Sequence, residues 1–266
     1  MSVAEEHLSL DVGDDGVAVL TISRPARLNA LTWELVEDLH TTLASIAGDP
    51  RVRVVVLTGD GRGFCAGLDI STDDPLGHRD EIEAVLHRQE RVAGLATALR
   101  ELPQPVVAAV NGPAAGGGLA LALAADVRLC APEAVFNVAF VRIGLSGCDV
   151  GVSYLLPRIV GLGIASEMML TGARVGAEEA VRTQLANRVV PAEELLDAAR
   201  ALAADIARNT PLGVRMTKQV LRLNVDAPSL EAAIEIENRT QVLTTRGRDA
   251  PEALSAFLER RPPAFG

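Results

Sequence analysis

The sequence predicts an α/β core followed by a helical tail, and three observations predict it. Short apolar runs of the kind that form buried strands recur through the chain, at 17–22, 52–58, 106–110 and 126–130. Stretches with helical period or small residues alternate with them, and from 161 onward helical spacing stands alone. The length, 266 residues, suits one large domain, or one domain with a small appendage.

The elements follow in order. Residues 8–10 and 17–22 alternate in hydropathy around Gly13-Asp14-Asp15-Gly16, the pattern of an opening β-hairpin. Thr32 is placed to cap a helix with Leu35, Val36, Leu39, Leu43 and Ile46 on one face and Trp33 packed at its start. Asp49-Pro50 opens the next unit, with a strand over 52–58. The polar stretch 71–78, with Pro75 and Gly77, reads as a loop. Residues 81–102 form a long amphipathic helix, with Ile82, Val85, Leu86, Val92, Leu95, Ala96 and Leu99 expected inward. Pro103 and Pro105 end it and introduce the strand 106–110. Short strands are expected at 126–130 and 134–138, a Gly-rich loop at 142–151, and a helix at 161–170 stopped by Thr171-Gly172. Helices at 178–182, 193–208, 211–224, 229–240 and 251–260 complete the chain.

Composition narrows the function. The chain is 48% hydrophobic but only 3% aromatic, so Ala, Val, Leu and Ile build the core. A formal charge of −10 argues against a general nucleic-acid or membrane-surface binder. The first residues lack the basic and apolar regions of a secretory signal, and no apolar run is long enough to span a bilayer. A cytoplasmic location is the expectation. Cys65, Cys130 and Cys148 show no metal-ligand spacing and are read as buried small hydrophobes.

The chain is organised around 106–130. Asn111-Gly112-Pro113 breaks the strand, and Gly116-Gly117-Gly118 then opens a small-residue helix. Glycines at a helix start leave backbone N–H groups bare, and the helix dipole adds partial positive charge, which suits an oxygen gaining negative charge in a transition state. The same glycines would also let a helix simply pack close to a sheet.

A second block, Gly63-Phe64-Cys65-Ala66-Gly67-Leu68-Asp69-Ile70, follows the strand 52–58. Together with the 111–126 stretch, with Arg24-Pro25-Ala26-Arg27-Leu28-Asn29-Ala30-Leu31 and with the segment ending ALSAFLERRPPAF, it resembles the crotonase superfamily, the enoyl-CoA hydratase/isomerase family. The resemblance covers almost the whole chain. It implies a ββα-spiral α/β core over 1–200 and a C-terminal helical region over 201–266 for trimerisation and closure over coenzyme A. It implies an acyl-CoA thioester as substrate, with coenzyme A present only as part of that ester and no permanent cofactor or metal. It further implies a homotrimer or a dimer of trimers, and an oxyanion hole made by the N–H groups of Ala66 and Gly117. By the same resemblance Arg27 and Leu28 lie near the coenzyme A pantetheine and phosphates, and Asp69 and Ile70 near its adenine. Phe257 and Arg260 close over it, often from a neighbouring subunit. A plain surface role for Arg27 and a turn-forming role for Asp69 are the competing readings.

The resemblance also exposes a departure. Hydration of an enoyl thioester needs a base to activate water and an acid to protonate the α-carbon, and family hydratases use two glutamates. Here those places hold Ala120 and Phe140, which transfer no proton. Gly147-Cys148-Asp149-Val150-Gly151 is similar to the segment of dienoyl-CoA isomerases whose aspartate acts in proton transfer, which makes Asp149 the candidate acid/base. Capping the following helix is its alternative role. The reading is an atypical member of the family, and a non-catalytic acyl-CoA-binding or assembly subunit is its rival.

Other residues are assigned ordinary roles. His7, His40, His78 and His87 match no catalytic place and are read as solvated or partly packed. With no histidine after His87, the serine-protease chemistry that shares this fold is disfavoured. Asp126 is read as structural, and Lys218 and Arg222, one helical turn apart, as solvated or phosphate-holding. Gly161-Leu162-Gly163 lacks the rest of a dinucleotide fingerprint.

Overall fold

The computed structural model of the chain describes residues 7–71, 74, 76–77 and 79–265. His78 and much of the loop around it lie outside the described residues. Strands β1 (Leu8–Val12) and β2 (Val17–Ile22) form the expected hairpin. Beyond them β3 (Val54–Gly59), β4 (Val106–Val110), β6 (Val127–Cys130) and β9 (Arg188–Val189) add in parallel, giving the order β1-β2-β3-β4-β6-β9. A second sheet holds β5 (Pro113–Ala115), β7 (Val135–Asn137) and β8 (Arg174–Gly176) in the order β5-β7-β8.

The central strands β2, β3 and β4 are buried on both faces, as parallel strands must be when crossover helices cover them. Alternate residues serve two apolar layers, because successive side chains on a strand point to opposite sides. Ala18, Leu20, Ile22, Val55, Leu57, Val106 and Ala108 face α1 (Trp33–Gly48), α2 (Ile82–Glu101) and α3 (Gly117–Ala124). Val17, Val19, Val54, Val56, Val107 and Ala109 face α7 (Leu195–Ala207) through Leu195, Ala199 and Ala203. The boundary expected at residue 200 therefore falls inside a helix that belongs to the core.

Thr32 caps α1 by accepting from the Leu35 N–H, and the five predicted residues are the buried ones. Each fully buried aliphatic side chain contributes about 1.5–3 kcal/mol relative to exposure. In α2 only the second half meets the core, through Val92, Leu95, Ala96 and Leu99. Ile82, 80% exposed, and Leu86 stand away from it, correcting the expected inward face. Periodicity shows which residues share a face, and the helix simply outruns the surface it packs on. The strands β5, β8 and β9 are too short to leave an apolar run and were not expected. The helix α4 (Val152–Val160), which carries Pro157 inside it, was implied only by the alternative reading of Asp149 as a cap. The helices α5 (Leu162–Thr171), α6 (Ala177–Arg182), α8 (Pro211–Asn224), α9 (Leu230–Thr245) and α10 (Ala250–Glu259) follow the predicted plan. Gly172 ends α5 in the left-handed region. Among the described residues no helix is long and apolar enough to cross a membrane.

Candidate active site

The site lies at the carboxyl ends of β3 and β4, where parallel sheets commonly bind ligands. Two asparagines fasten the turn that follows β3. Asn29, fully buried, donates from Nδ2 to Asp60 O (2.9 Å) and Gly63 O (2.6 Å), and its Oδ1 accepts from the Arg24 N–H (2.7 Å). Asn111 donates to Gly61 O (2.8 Å) and Gly63 O (3.1 Å). Sequence reasoning quoted both residues without giving either a role. The only local signal is Asn29 itself, which adopts φ +58° directly after Leu28 at φ +49°.

The chain then runs through Cys65, which pairs with Ala114, and turns at Gly67. Gly67 has φ +87°, and a Cβ there would lie 2.8 Å from Ala115 O and 3.1 Å from Gly117 N. The 66–68 turn is thus pressed against the start of α3. The three glycines of that start have distinct requirements. Gly116 has φ +53° and faces the Phe140 ring, while a Cβ on Gly118 would meet Cys65 O at 1.9 Å. Gly117 has neither constraint, since its Cβ would make ordinary contacts of 3.5 Å to Leu31 Cδ1 and 3.7 Å to Gly67 Cα. Packing alone does not account for a glycine there.

The backbone donors decide between the candidate amides. The Ala66 N–H donates to Leu28 O at 3.0 Å, so the expected oxyanion role of Ala66 is corrected: its amide is already spent. Leu68 is two residues further on. It bridges Leu31 through its neighbours, with the Leu31 N–H donating to Gly67 O (2.8 Å) and the Asp69 N–H to Leu31 O (2.9 Å). Neither Leu68 N–H nor Gly117 N–H has an acceptor among the described residues. Gly117 opens α3, so its N–H is one of the groups a helix leaves unpaired. Sequence shows where a turn lies but not which of its amides the turn consumes.

The Phe140 ring lies against Gly116, and Ala120 is buried in α3. Asp149 sits in the loop before α4, half-buried. Its Oδ1 accepts from Gln89 Nε2 of α2 (2.5 Å) and from the Val150 N–H (2.7 Å). Its carbonyl accepts the Val152 N–H, while Gly151 holds the N-cap position of α4 without a side-chain cap.

The residues assigned to coenzyme A are placed as follows. Arg27 is exposed, with no acceptor among the described residues. Leu28 is half-buried over Gly63. The Asp69 carboxylate accepts from Ser71 Oγ (2.6 Å), the Ser71 N–H and Arg24 Nη2 (3.0 Å), as a turn-forming residue does. The Ser71 hydroxyl, then its N–H and Arg24, hold that carboxyl below the usual range. Ile70 is exposed. Phe257, 80% exposed, and Arg260 lie on the outer surface of the C-terminal helices.

Cys65 and Cys130 are buried, as expected, and burial pushes the Cys65 thiol up to about 12. Cys148 is exposed, which corrects its reading as a buried residue: the Gly-rich loop that carries it lies on the surface. A cavity of about 660 Å³ opens at the other end of the sheet, beside Gly16, Arg53, Gln104 and Arg215. No residue of the candidate site lines it.

The family model described as Enoyl-CoA hydratase/isomerase matches residues 13–266. The chain is 43% identical to a probable enoyl-CoA hydratase, EchA12, of Mycobacterium tuberculosis over 253 residues, covering 94% of this chain and 89% of that one. It is 37% identical to the 1,2-epoxyphenylacetyl-CoA isomerase of Escherichia coli over 254 residues, covering 95% of each. The crystal structure of an enoyl-CoA hydratase from Bacillus anthracis superposes with a TM-score of 0.92 at 32% identity, covering 98% of this chain and 99% of that one. Sequence and fold agree along nearly the full length, and the chain belongs to the enoyl-CoA hydratase/isomerase family of the crotonase superfamily.

Proposed function

We propose that this enzyme binds an acyl-CoA thioester, holds its carbonyl oxygen between the Leu68 and Gly117 N–H groups, and moves one proton along the acyl chain with Asp149. The observation that carries the reading is the pair of amides that have no acceptor among the described residues and meet at the Gly67 turn. Donors fixed in advance at the place where charge develops stabilise an enolate without reorganising.

The chemistry balances with one carboxylate. Asp149 takes a proton from the acyl chain, the C–H electron pair delocalises onto the thioester oxygen, and the same proton returns at another carbon as the enolate collapses. The double bond shifts, and no water is consumed. Hydration would need a second proton-transfer group, and Ala120 and Phe140 supply none. An isomerase among the relatives supports the same direction.

Arg27, exposed and unpaired among the described residues, suits the coenzyme A phosphates. The C-terminal region presents Leu221, Val242, Leu254, Phe257 and Leu258 to the outside. That much apolar surface supports a subunit interface, in a trimer or a dimer of trimers, with Phe257 and Arg260 placed to close over a neighbour's coenzyme A.

The test is incubation with a panel of enoyl-, dienoyl- and hydroxyacyl-CoA esters, read by mass spectrometry. The expected product has the mass of its substrate with a moved double bond, and Asp149→Asn abolishes its formation. A product heavier by one water, formed rapidly by both proteins, would overturn the reading.

A further inference from the structure

We propose that Gln89 is a positioning residue that grips one edge of the Asp149 carboxylate and leaves the other oxygen free for proton transfer; this rests on the acid/base reading of Asp149. Gln89 lies on α2, three residues before Val92, where that helix begins to meet the core. Its Nε2 donates to Asp149 Oδ1 at 2.5 Å across 60 residues of sequence, and the Val150 N–H donates to the same oxygen at 2.7 Å. No donor reaches Oδ2 among the described residues.

The loop is shaped to hold this arrangement. Val150 adopts φ +41°, a conformation that a β-branched residue reaches only against steric resistance. Its side chain is buried, so packing holds the strained turn in place. Next to it, a Cβ on Gly151 would touch Ala96 of α2, so the same helix that carries Gln89 also abuts this turn. A short side chain in a surface loop would otherwise sample several rotamers. Two donors from different elements confine it to one. That matters for a carboxylate that must receive a proton and return it at a second carbon, since a displacement of about 1 Å costs roughly 100-fold in rate.

The experiment compares Gln89→Met, which keeps length and loses the donor, with Gln89→Lys, which restores a donor. Each is assayed beside Asp149→Asn and the Gln89→Met/Asp149→Asn double variant. The probe is the fastest-converted ester of a panel of crotonyl-, trans-3-hexenoyl- and 3,5-dienoyl-CoA, with thermal unfolding as the check on folding. Gln89→Met is expected to lower kcat by about 10–100-fold with KM within about twofold, because binding groups are untouched. Gln89→Lys recovers most of the loss, and the double variant is no slower than Asp149→Asn. If Asp149→Asn is inactive while Gln89→Met turns over like wild type, the positioning role is wrong and the acid/base reading stands. If Asp149→Asn is fully active, both fail. A Gln89→Met variant that loses kcat but is equally slow as Gln89→Lys, or unfolds early, assigns Gln89 to structure alone and overturns the proposal.

Discussion

Lys218 Nζ lies 2.8 Å from Asp126 Oδ2, deep between the C-terminal helix α8 and the start of β4. The same oxygen of Asp126 accepts the Val106 N–H at 2.7 Å, and Lys218 also donates to Gln104 O at 2.9 Å. One turn along α8, Arg222 donates to Arg100 O. Both cations thus sit at the carboxyl end of α2, where the helix dipole favours positive charge. Their expected role as solvated or phosphate-holding groups is corrected, because they fasten the helical tail to the strand that leads into the site. The structural reading of Asp126 holds.

Breaking this pair is expected to destabilise the protein. Asp126→Asn leaves a buried ammonium without its counter-charge, at a cost of about 2–4 kcal/mol after allowing for the partly exposed carboxylate. Denaturant unfolding measures it. Burial holds the Lys218 pKa below its ordinary 10.5, against the opposing pull of Asp126. Between the two values the unfolded chain binds more protons than the folded one, so this lysine makes stability rise with pH over that interval. Lys218→Met should remove that rise, and an unchanged pH slope would show that the lysine is not buried in solution.

The C-terminal tail carries a second pH dependence, of the same sign but in the acid range. Glu252 accepts from Arg261 Nη1 (2.6 Å), Arg261 Nη2 (2.9 Å) and the Ala264 N–H (2.8 Å). Arg261, then the Ala264 amide, hold its carboxyl down to about 2. A depressed carboxylate contributes fully above its unfolded value of 4.5, and the contribution is lost as the pH falls toward about 2. NMR titration of the Ala264 amide should show a midpoint near the lower value. In Glu252→Gln the tail should be undocked throughout.

Arg27 yields a binding prediction. An exposed guanidinium that meets phosphates contributes to affinity for coenzyme A esters and not to the chemistry. Arg27→Ala should raise KM for the coenzyme A ester by about 5–20-fold with kcat unchanged, as loss of uniform binding does. With the matching N-acetylcysteamine thioester, which has no phosphates, the variant and the wild type should agree. An equal rise on both esters would place Arg27 elsewhere in the mechanism.

Much of the fold was readable because its signals are local. The hairpin, the Thr32 cap and the strand 106–110 each declare themselves within a few residues. The second sheet was legible only in β7, since β5 and β8 have three residues each and leave no apolar run of their own. The site divided in the same way. The glycine-opened start of α3 is a local signal, and the resemblance singled out Gly117 within it, but the loss of the Ala66 amide to Leu28 O is a contact across 38 positions. Gln89 and Asp149 meet across 60, and no spacing rule reaches that far.

The three glycines at the start of α3 allow the proposed oxyanion hole to be tested apart from packing. Gly118→Ala would drive a methyl group into Cys65 O, so this variant is expected to fold poorly. Gly117→Ala adds the same methyl where only ordinary contacts await it, and should fold and turn over close to wild type unless the substrate needs that space. Gly117→Pro adds ring atoms at a first helical position, which proline tolerates, and removes the N–H. Losing one oxyanion donor typically costs about 100–1,000-fold in kcat. Gly117→Pro should therefore melt like Gly117→Ala and lag far behind it in turnover. Equal rates from the two would mean that the Gly117 amide holds no charge in the transition state, and Leu68 would then be left as a donor without a partner.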